Sequence, residues 1–101
     1  MSEIQALNLL GLAYRAGKVR TGIDAILRDI ERGNIALLLI ASDVKKNTKK
    51  QLVNKCNYYD VPYIELSNRY ELGKAIGKGA RVAIGISDGG FARKFKNIIA
   101  G

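Results

Sequence analysis

The side chains best equipped for chemistry in this sequence are cations, and they cluster. Lys45, Lys46, Lys49, Lys50 and Lys55 follow one another with no carboxylate among them. At the start of a helix such a run places ammonium groups beside unpaired backbone N–H donors, a surface suited to phosphate. A solvated helix face opposite Leu52, Val53 and Cys56 would account for the same run. Cations at a helix N-terminus oppose the macrodipole, however, so folding is not what placed Lys45 to Lys50 there. A second cluster, Lys18-Val-Arg20-Thr-Gly22 with Arg28 beyond it, leads into another helix. Gly22 admits close approach of a second backbone, and the helix start adds donors. Thr21 and Asp24 match a capping box, in which the Asp24 carboxylate would be occupied.

The whole chain carries 17 Lys and Arg against 9 Asp and Glu, a formal net charge of +8 in 101 residues. That balance favours a polyanionic partner, held by counterion release and long-range attraction. Other chemistry is scarce. The sequence has no histidine, which removes the commonest general base, the commonest metal ligand and every Ser-His or Cys-His dyad. Its one cysteine, Cys56, can form neither an internal disulfide nor a zinc site and fits a reducing compartment. On an apolar helical stripe it reads as a small buried hydrophobe. The carboxylates show no paired spacing on one helix face, so no enzyme, metal or cofactor is expected. Gly73-Lys-Ala-Ile-Gly77-Lys-Gly79 lacks the spacer and the Ser/Thr of a phosphate loop and reads as a cap and turn. Ser87-Asp88-Gly89-Gly90 reads as a strand-to-helix turn. One of the adjacent Tyr58 and Tyr59 is expected to pack inward, while Tyr14, Tyr63 and Tyr70 are too scattered to form a base-stacking platform.

Periodicity supplies the elements that must position these groups. Glu3 to Arg15 places Ile4, Leu7, Leu10, Gly11 and Tyr14 at helical spacing, with Gly17 as a stop. A short extended piece, Lys18 to Arg20, leads to Thr21, which opens a second helix. There Ile23, Ile26, Leu27 and Ile30 form the apolar stripe and Gly33 caps the end. Ile35 to Ala41 is a continuous apolar run, a strand covered on both faces. Thr48 and Gln51 match a capping box for a third helix whose inner face is Leu52, Val53 and Cys56. Pro62 to Leu66 is a strand, Asn68 and Glu71 cap a short fourth helix, and Val82 to Ile86 is another strand. A last helix turns Phe91, Phe95, Ile98 and Ile99 inward. Helices alternating with short buried strands predict an α/β fold: a three-layer α/β/α sandwich around a central mixed sheet of about four strands. With 48% apolar residues and no linker or repeat, residues 1–101 read as a single domain. The Ile35 to Ala41 run falls far short of the roughly 20 residues of a membrane span. The N-terminus lacks the basic region and cleavage site of a signal peptide, so a cytoplasmic protein is expected.

Gly22…Glu31-Arg32-Gly33, the strand ending Ala41-Ser42-Asp43, then Val61-Pro62-Tyr63 and Leu72-Gly73-Lys74-Ala75-Ile76-Gly77 occur in that order. The combination resembles the ribosomal protein L7Ae/L30e family, most of all its small bacterial branch, over Ile4 to Phe95. The resemblance implies an RNA-binding protein of the translation apparatus that recognises kink-turn RNA, a sharply bent duplex with tandem sheared G·A pairs. It implies that the start of the second helix enters the widened groove at the bend. The family's recognition phrase is Gly-x-Asn-Glu-x-x-Lys; here it reads Gly22-Ile23-Asp24-Ala25-Ile26-Leu27-Arg28. Gly22 is retained, Arg28 keeps the cation, and Asp24 and Ala25 depart. An Asn amide can donate to guanine O6, whereas ionised Asp24 only accepts, and Ala25 offers guanine no acceptor. At about 1–3 kcal/mol per bidentate base contact, this degenerate phrase implies much weaker site-specific reading. Arg28 can still fork onto guanine O6 and N7 or onto a phosphate.

Two further contact regions map to Lys45, with Lys46 beside it, and to Glu65-Leu66-Ser67, a loop that would cover a flipped-out base. Leu66 would supply the apolar surface, and Glu65 would repel phosphate unless it met a base amino group. The expected RNA surface is thus Lys18, Arg20, Gly22, Asp24, Ala25, Arg28, Lys45, Lys46, Glu65, Leu66 and Ser67. The expected partners are structured RNA, of kink-turn or ribosomal type, and ribosomal proteins, with a monomeric chain and no membrane. The alternative is a protein-interaction module of the same fold that has lost specific RNA reading.

Overall fold

The computed structural model describes residues 2–101. Its order is α1 Glu3–Arg15, β1 Val19–Thr21, α2 Ile23–Glu31, β2 Leu37–Ile40, α3 Lys46–Tyr58, β3 Tyr63–Glu65, α4 Arg69–Ala75, β4 Ala83–Ile86 and α5 Gly89–Ala100. The strands form one mixed sheet in the order β1-β4-β2-β3. Here β4 runs antiparallel to both β1 and β2, and β3 pairs parallel to β2. The expected α/β sandwich is present. One face of the sheet packs Leu37, Leu39, Ile84 and Ile86 against α1, α4 and α5, with Phe95 fully buried. The other packs Leu38, Ile40 and Ala83 against Ile26 and Ile30 of α2 and Leu52 and Cys56 of α3. Every residue of β2 and β4 is buried, as the unbroken apolar runs required.

Three local expectations are corrected. In α1 the core face is Ala6, Leu9, Leu10 and Ala13, while Ile4 is 73% exposed and Tyr14 38%. Both stripes have helical spacing and share Leu10. Close packing against α4 and α5 selects the stripe with small alanines, because bulky side chains there would hold the helices apart. Neither central capping box forms. Thr21 is the last residue of β1 and α2 is capped by Gly22 without a side-chain hydrogen bond. The third helix begins at Lys46, ahead of Thr48, with Lys45 at its cap and again no side-chain bond. Thr21 pairs with Ile84 across the sheet, and a residue held extended in a ladder cannot also open a helix. The tyrosine pair is the third case: Tyr58 is 79% and Tyr59 40% exposed, so neither enters the core. The caps at Asn68 and Asp88 form as hydrogen bonds, Asn68 Oδ1 accepting from Tyr70 and Glu71 N–H and Asp88 from Phe91 N–H.

The register explains what the fold positions. Thr21, Ile84, Leu39 and Ile64 form one row across all four strands. Since β1, β2 and β3 all run the same way, their carboxyl ends leave the sheet at one end. The chain therefore delivers Gly22, the Ser42–Lys45 turn and the Leu66–Ser67 turn to the same rim.

Candidate nucleic-acid interface

At that rim α2 and α3 begin. Gly22 adopts φ +91°, ψ 125°, a backbone conformation L side chains rarely take, and a Cβ added there would meet nothing within 4 Å. The glycine lets β1 turn directly into α2. It also leaves the first N–H groups of α2 without a side-chain acceptor. The start of α3 is equally uncapped, and its first turn contains no acid. By contrast α1, α4 and α5 are capped by Ser2, Asn68 and Asp88. Two helix starts with free donors at one rim make an electropositive surface suited to anionic oxygen.

The charged side chains sort into free and occupied. Four ion pairs form among the described residues, and Arg28, Lys45, Lys46 and Lys50 are in none of them. All four are exposed. Arg20 Nε lies 3.3 Å from Asp29 Oδ2, so its guanidinium is held along α2. Glu65, expected to repel phosphate, is 3.1 Å from Lys49 Nζ and is neutralised there. Asp24 is exposed at the first turn of α2 and Ala25 beside it is half-buried. With the capping box absent, the Asp24 carboxylate is open to a ligand.

Two expected members are displaced. Lys18 precedes β1, and its carbonyl accepts from Ser87 N–H after β4. Its backbone therefore lies at the opposite end of the sheet, about 13 Å along the strand from Gly22. Leu66 is 1% exposed and belongs to the core beneath α1 and α4. Its N–H still donates to the Ile40 carbonyl at 2.9 Å, prolonging the ladder, so strand alternation sends its side chain inward with Ile64. It presents no surface for a base. The rim is finished instead by Ser67, at φ +57°, whose hydroxyl donates to Glu3 Oε2 at 3.2 Å and whose carbonyl accepts from Ser42 N–H at 2.7 Å.

One organising contact had no signal in the linear pattern. The Arg69 backbone N–H donates to Asp43 Oδ1 at 2.9 Å, its Nε to Asp43 Oδ2 at 3.2 Å, and its guanidinium also reaches the Asp43 carbonyl. The Arg69 carbonyl accepts from Arg81 N–H. Arg69 thus ties the β2–α3 turn, the start of α4 and the approach to β4 together behind Lys45 and Lys46. The partners are 26 residues apart, which is why spacing rules did not find them.

No group of three or more metal-type ligands occurs among the described residues. Burial pushes the Cys56 thiol up to about 11, so it stays protonated and unreactive near neutral pH. Among those residues no helix is long and apolar enough to cross a membrane.

Comparison with known proteins agrees with the architecture. The RNA-binding protein YlxQ of Bacillus subtilis is 42% identical over 99 residues, covering 98% of this chain and 99% of its own. Large ribosomal subunit protein eL8 of Thermoplasma acidophilum is 32% identical over 98 residues, covering 95% of this chain and 81% of its own. Among solved structures, a protein of unknown function from Bacillus halodurans superposes with a TM-score of 0.91 at 42% identity, covering 95% of this chain and 97% of that one. The 15.5kD RNA binding protein of Giardia lamblia reaches 0.82 at 22% identity, covering 96% of this chain and 87% of its own, a likeness of fold. The family pattern itself matches residues 5–96, from the first turns of α1 almost to the end of α5. With that span and those identities, the chain belongs to the ribosomal protein L7Ae/L30e/S12e/Gadd45 family.

Proposed function

We propose that this chain is a non-enzymatic, cytoplasmic RNA-binding protein, a single domain over residues 1–101, that docks a sharply bent RNA duplex on the rim where α2 and α3 begin. The observation that carries the reading is the pair of uncapped helix starts at one end of the sheet, flanked by unpaired Arg28, Lys45 and Lys46. The names of the relatives point the same way. In this reading the α2 and α3 amides and Lys45 and Lys46 hold phosphates, and Arg28 forks onto a guanine edge or a phosphate. Asp24, free of capping, accepts from base amino or imino groups, and Ala25 leaves room for the backbone. Arg20 contributes through the part of its guanidinium not held by Asp29. Ser67 and Glu65 contribute polar backbone and side-chain atoms at the rim. Leu66 acts from beneath, by fixing the turn.

Binding to a kink-turn duplex and to the same duplex with its G·A pairs replaced tests the proposal. A bent-RNA reader binds the first more tightly, with log K falling against log salt at a slope of about −3 to −5 if four to six phosphates are neutralised. Arg28→Ala should weaken binding about tenfold, within the range of one lost bidentate contact. Failure to bind either duplex would overturn the reading.

A second reading has its own observation. Ile4 and Leu12 stand 73% and 50% exposed on α1. They border a groove of about 590 Å³ shared with Glu71 and Lys74 of α4. A protein-interaction module, docking for instance on ribosomal proteins, would use that face. Ile4→Ser with Leu12→Ser would then abolish capture of a partner while Arg28→Ala left it intact.

A further inference from the structure

We propose that the outer face of α3 is a second RNA surface, a track for an unpaired strand that ends with a base stacked on Tyr58. The proposal rests on the RNA-binding reading above and extends it away from the rim. Lys46, Lys50, Asn54 and Tyr58 follow at intervals of four along α3, and all are exposed. Leu52 and Cys56 face the opposite way into the core. From Lys46 to Tyr58 the helix rises about 18 Å, so the line runs from the rim to the far end of the sheet.

Three features suit a nucleic acid strand. The helix contains no carboxylate, and the two acids that reach it are already neutralised: Glu65 by Lys49 at 3.1 Å and Glu31 by Lys55 at 3.2 Å. Lys46 and Lys50 are left without partners for phosphate. Asn54 and Gln51 add amide groups able to donate or accept. At the far end Tyr58 and Tyr59 meet edge to face, with ring centroids 4.9 Å apart and planes at 70°. Lys55 Nζ lies over the Tyr59 ring, 5.9 Å from its centroid. Tyr58 is therefore braced while 79% exposed. The two rings, with Gln51, Asn54 and Lys55, line a shallow recess of about 510 Å³. An exposed aromatic ring at the end of a lysine and amide track is the combination by which single strands are held, phosphates by charge and bases by stacking. The other acid-free helix, α5, carries Arg93, Lys94 and Lys96 but has no exposed ring, since Phe91 is half-buried under Lys94.

The test compares a blunt kink-turn duplex with the same duplex carrying about six unpaired nucleotides at either end in turn, a length within the range of single-strand sites. One extended RNA should bind the protein about five- to tenfold more tightly than the blunt one. Tyr58→Ala should cut that gain to its charge-driven part and leave blunt binding unchanged, while Tyr58→Phe keeps it. Lys96→Ala, a charge removed from α5, should leave the gain intact. An extension that is abasic should give no more than the charge-driven part. A gain undiminished by Tyr58→Ala, or no gain at either end, overturns the proposal. Quenching of tyrosine emission by the free hexanucleotide, lost in Tyr58→Ala, reads the α3 surface without the bent duplex. If the blunt duplex fails to bind but this quenching is seen, the rim reading falls and the track stands. If both are missing, both fall.

Discussion

In α4, Gly73 is buried against the turn that follows the helix. The Gly73 carbonyl accepts from Ile76 and Lys78 N–H at 3.1 and 2.9 Å. A Cβ at Gly73 would collide with the Gly79 carbonyl oxygen. Asn68 closes the start of the helix with two hydrogen bonds. At the start of α2 the same kinds of residue are arranged in the opposite sense. Gly22 faces open space and no side chain caps the helix. A glycine in the sequence therefore carries no fixed meaning. What separates the two regions is whether the protein's own atoms satisfy the backbone donors, and that depends on what the chain folds against.

The comparison can be broken by substitution. The largest effect is expected from Gly73→Ala, which forces α4 from the turn behind it. It should lower the unfolding free energy by about 3 kcal/mol, read from the urea midpoint, since overpacking against backbone cannot be relieved by a rotamer change. A loss below about 0.5 kcal/mol would show the α4 turn to be looser than described. Gly22→Ala should cost about 2 kcal/mol by strain at positive φ, with no clash, and should weaken RNA binding because the α2 start is displaced. Asp24→Asn restores an amide donor at the rim. It should tighten binding to the G·A-containing duplex about tenfold, or about 1.4 kcal/mol, and leave the G·A-replaced duplex unaffected. The smallest effects sharpen the contrast between helix starts. Asp88→Ala removes a formed cap and should cost about 1 kcal/mol. Asp24→Ala removes a carboxylate that caps nothing and should stay within about 0.5 kcal/mol.

Much of this was legible before the fold was known. Apolar runs at Ile35 to Ala41 and Val82 to Ile86 announced strands buried on both faces, and β2 and β4 are buried throughout. Asn68 with Glu71 announced the start of α4, where the side chain is free to bond the next amides. The same capping signature failed at Thr21 and Thr48. A cap is a local competitor for a residue, and at Thr21 the pairing with Ile84 in β4 outweighed it. Leu66 failed for a related reason. The family resemblance implied a surface for a base there, but the ladder hydrogen bond to Ile40 kept the strand alternation running and turned it inward.

Composition and periodicity alone determined the alternation of helices and strands, the excess of cations, and the lack of histidine and paired cysteine. Those properties follow from residue type and from distances of a few residues along the chain. Which cations stand free, which are bound by Asp29, Glu31 or Glu65, and which helix starts keep their donors were decided only by the tertiary structure. The register of four strands brings partners from distant positions to one rim, and hydrogen bonding and Coulomb attraction act at a few ångströms regardless of separation in sequence.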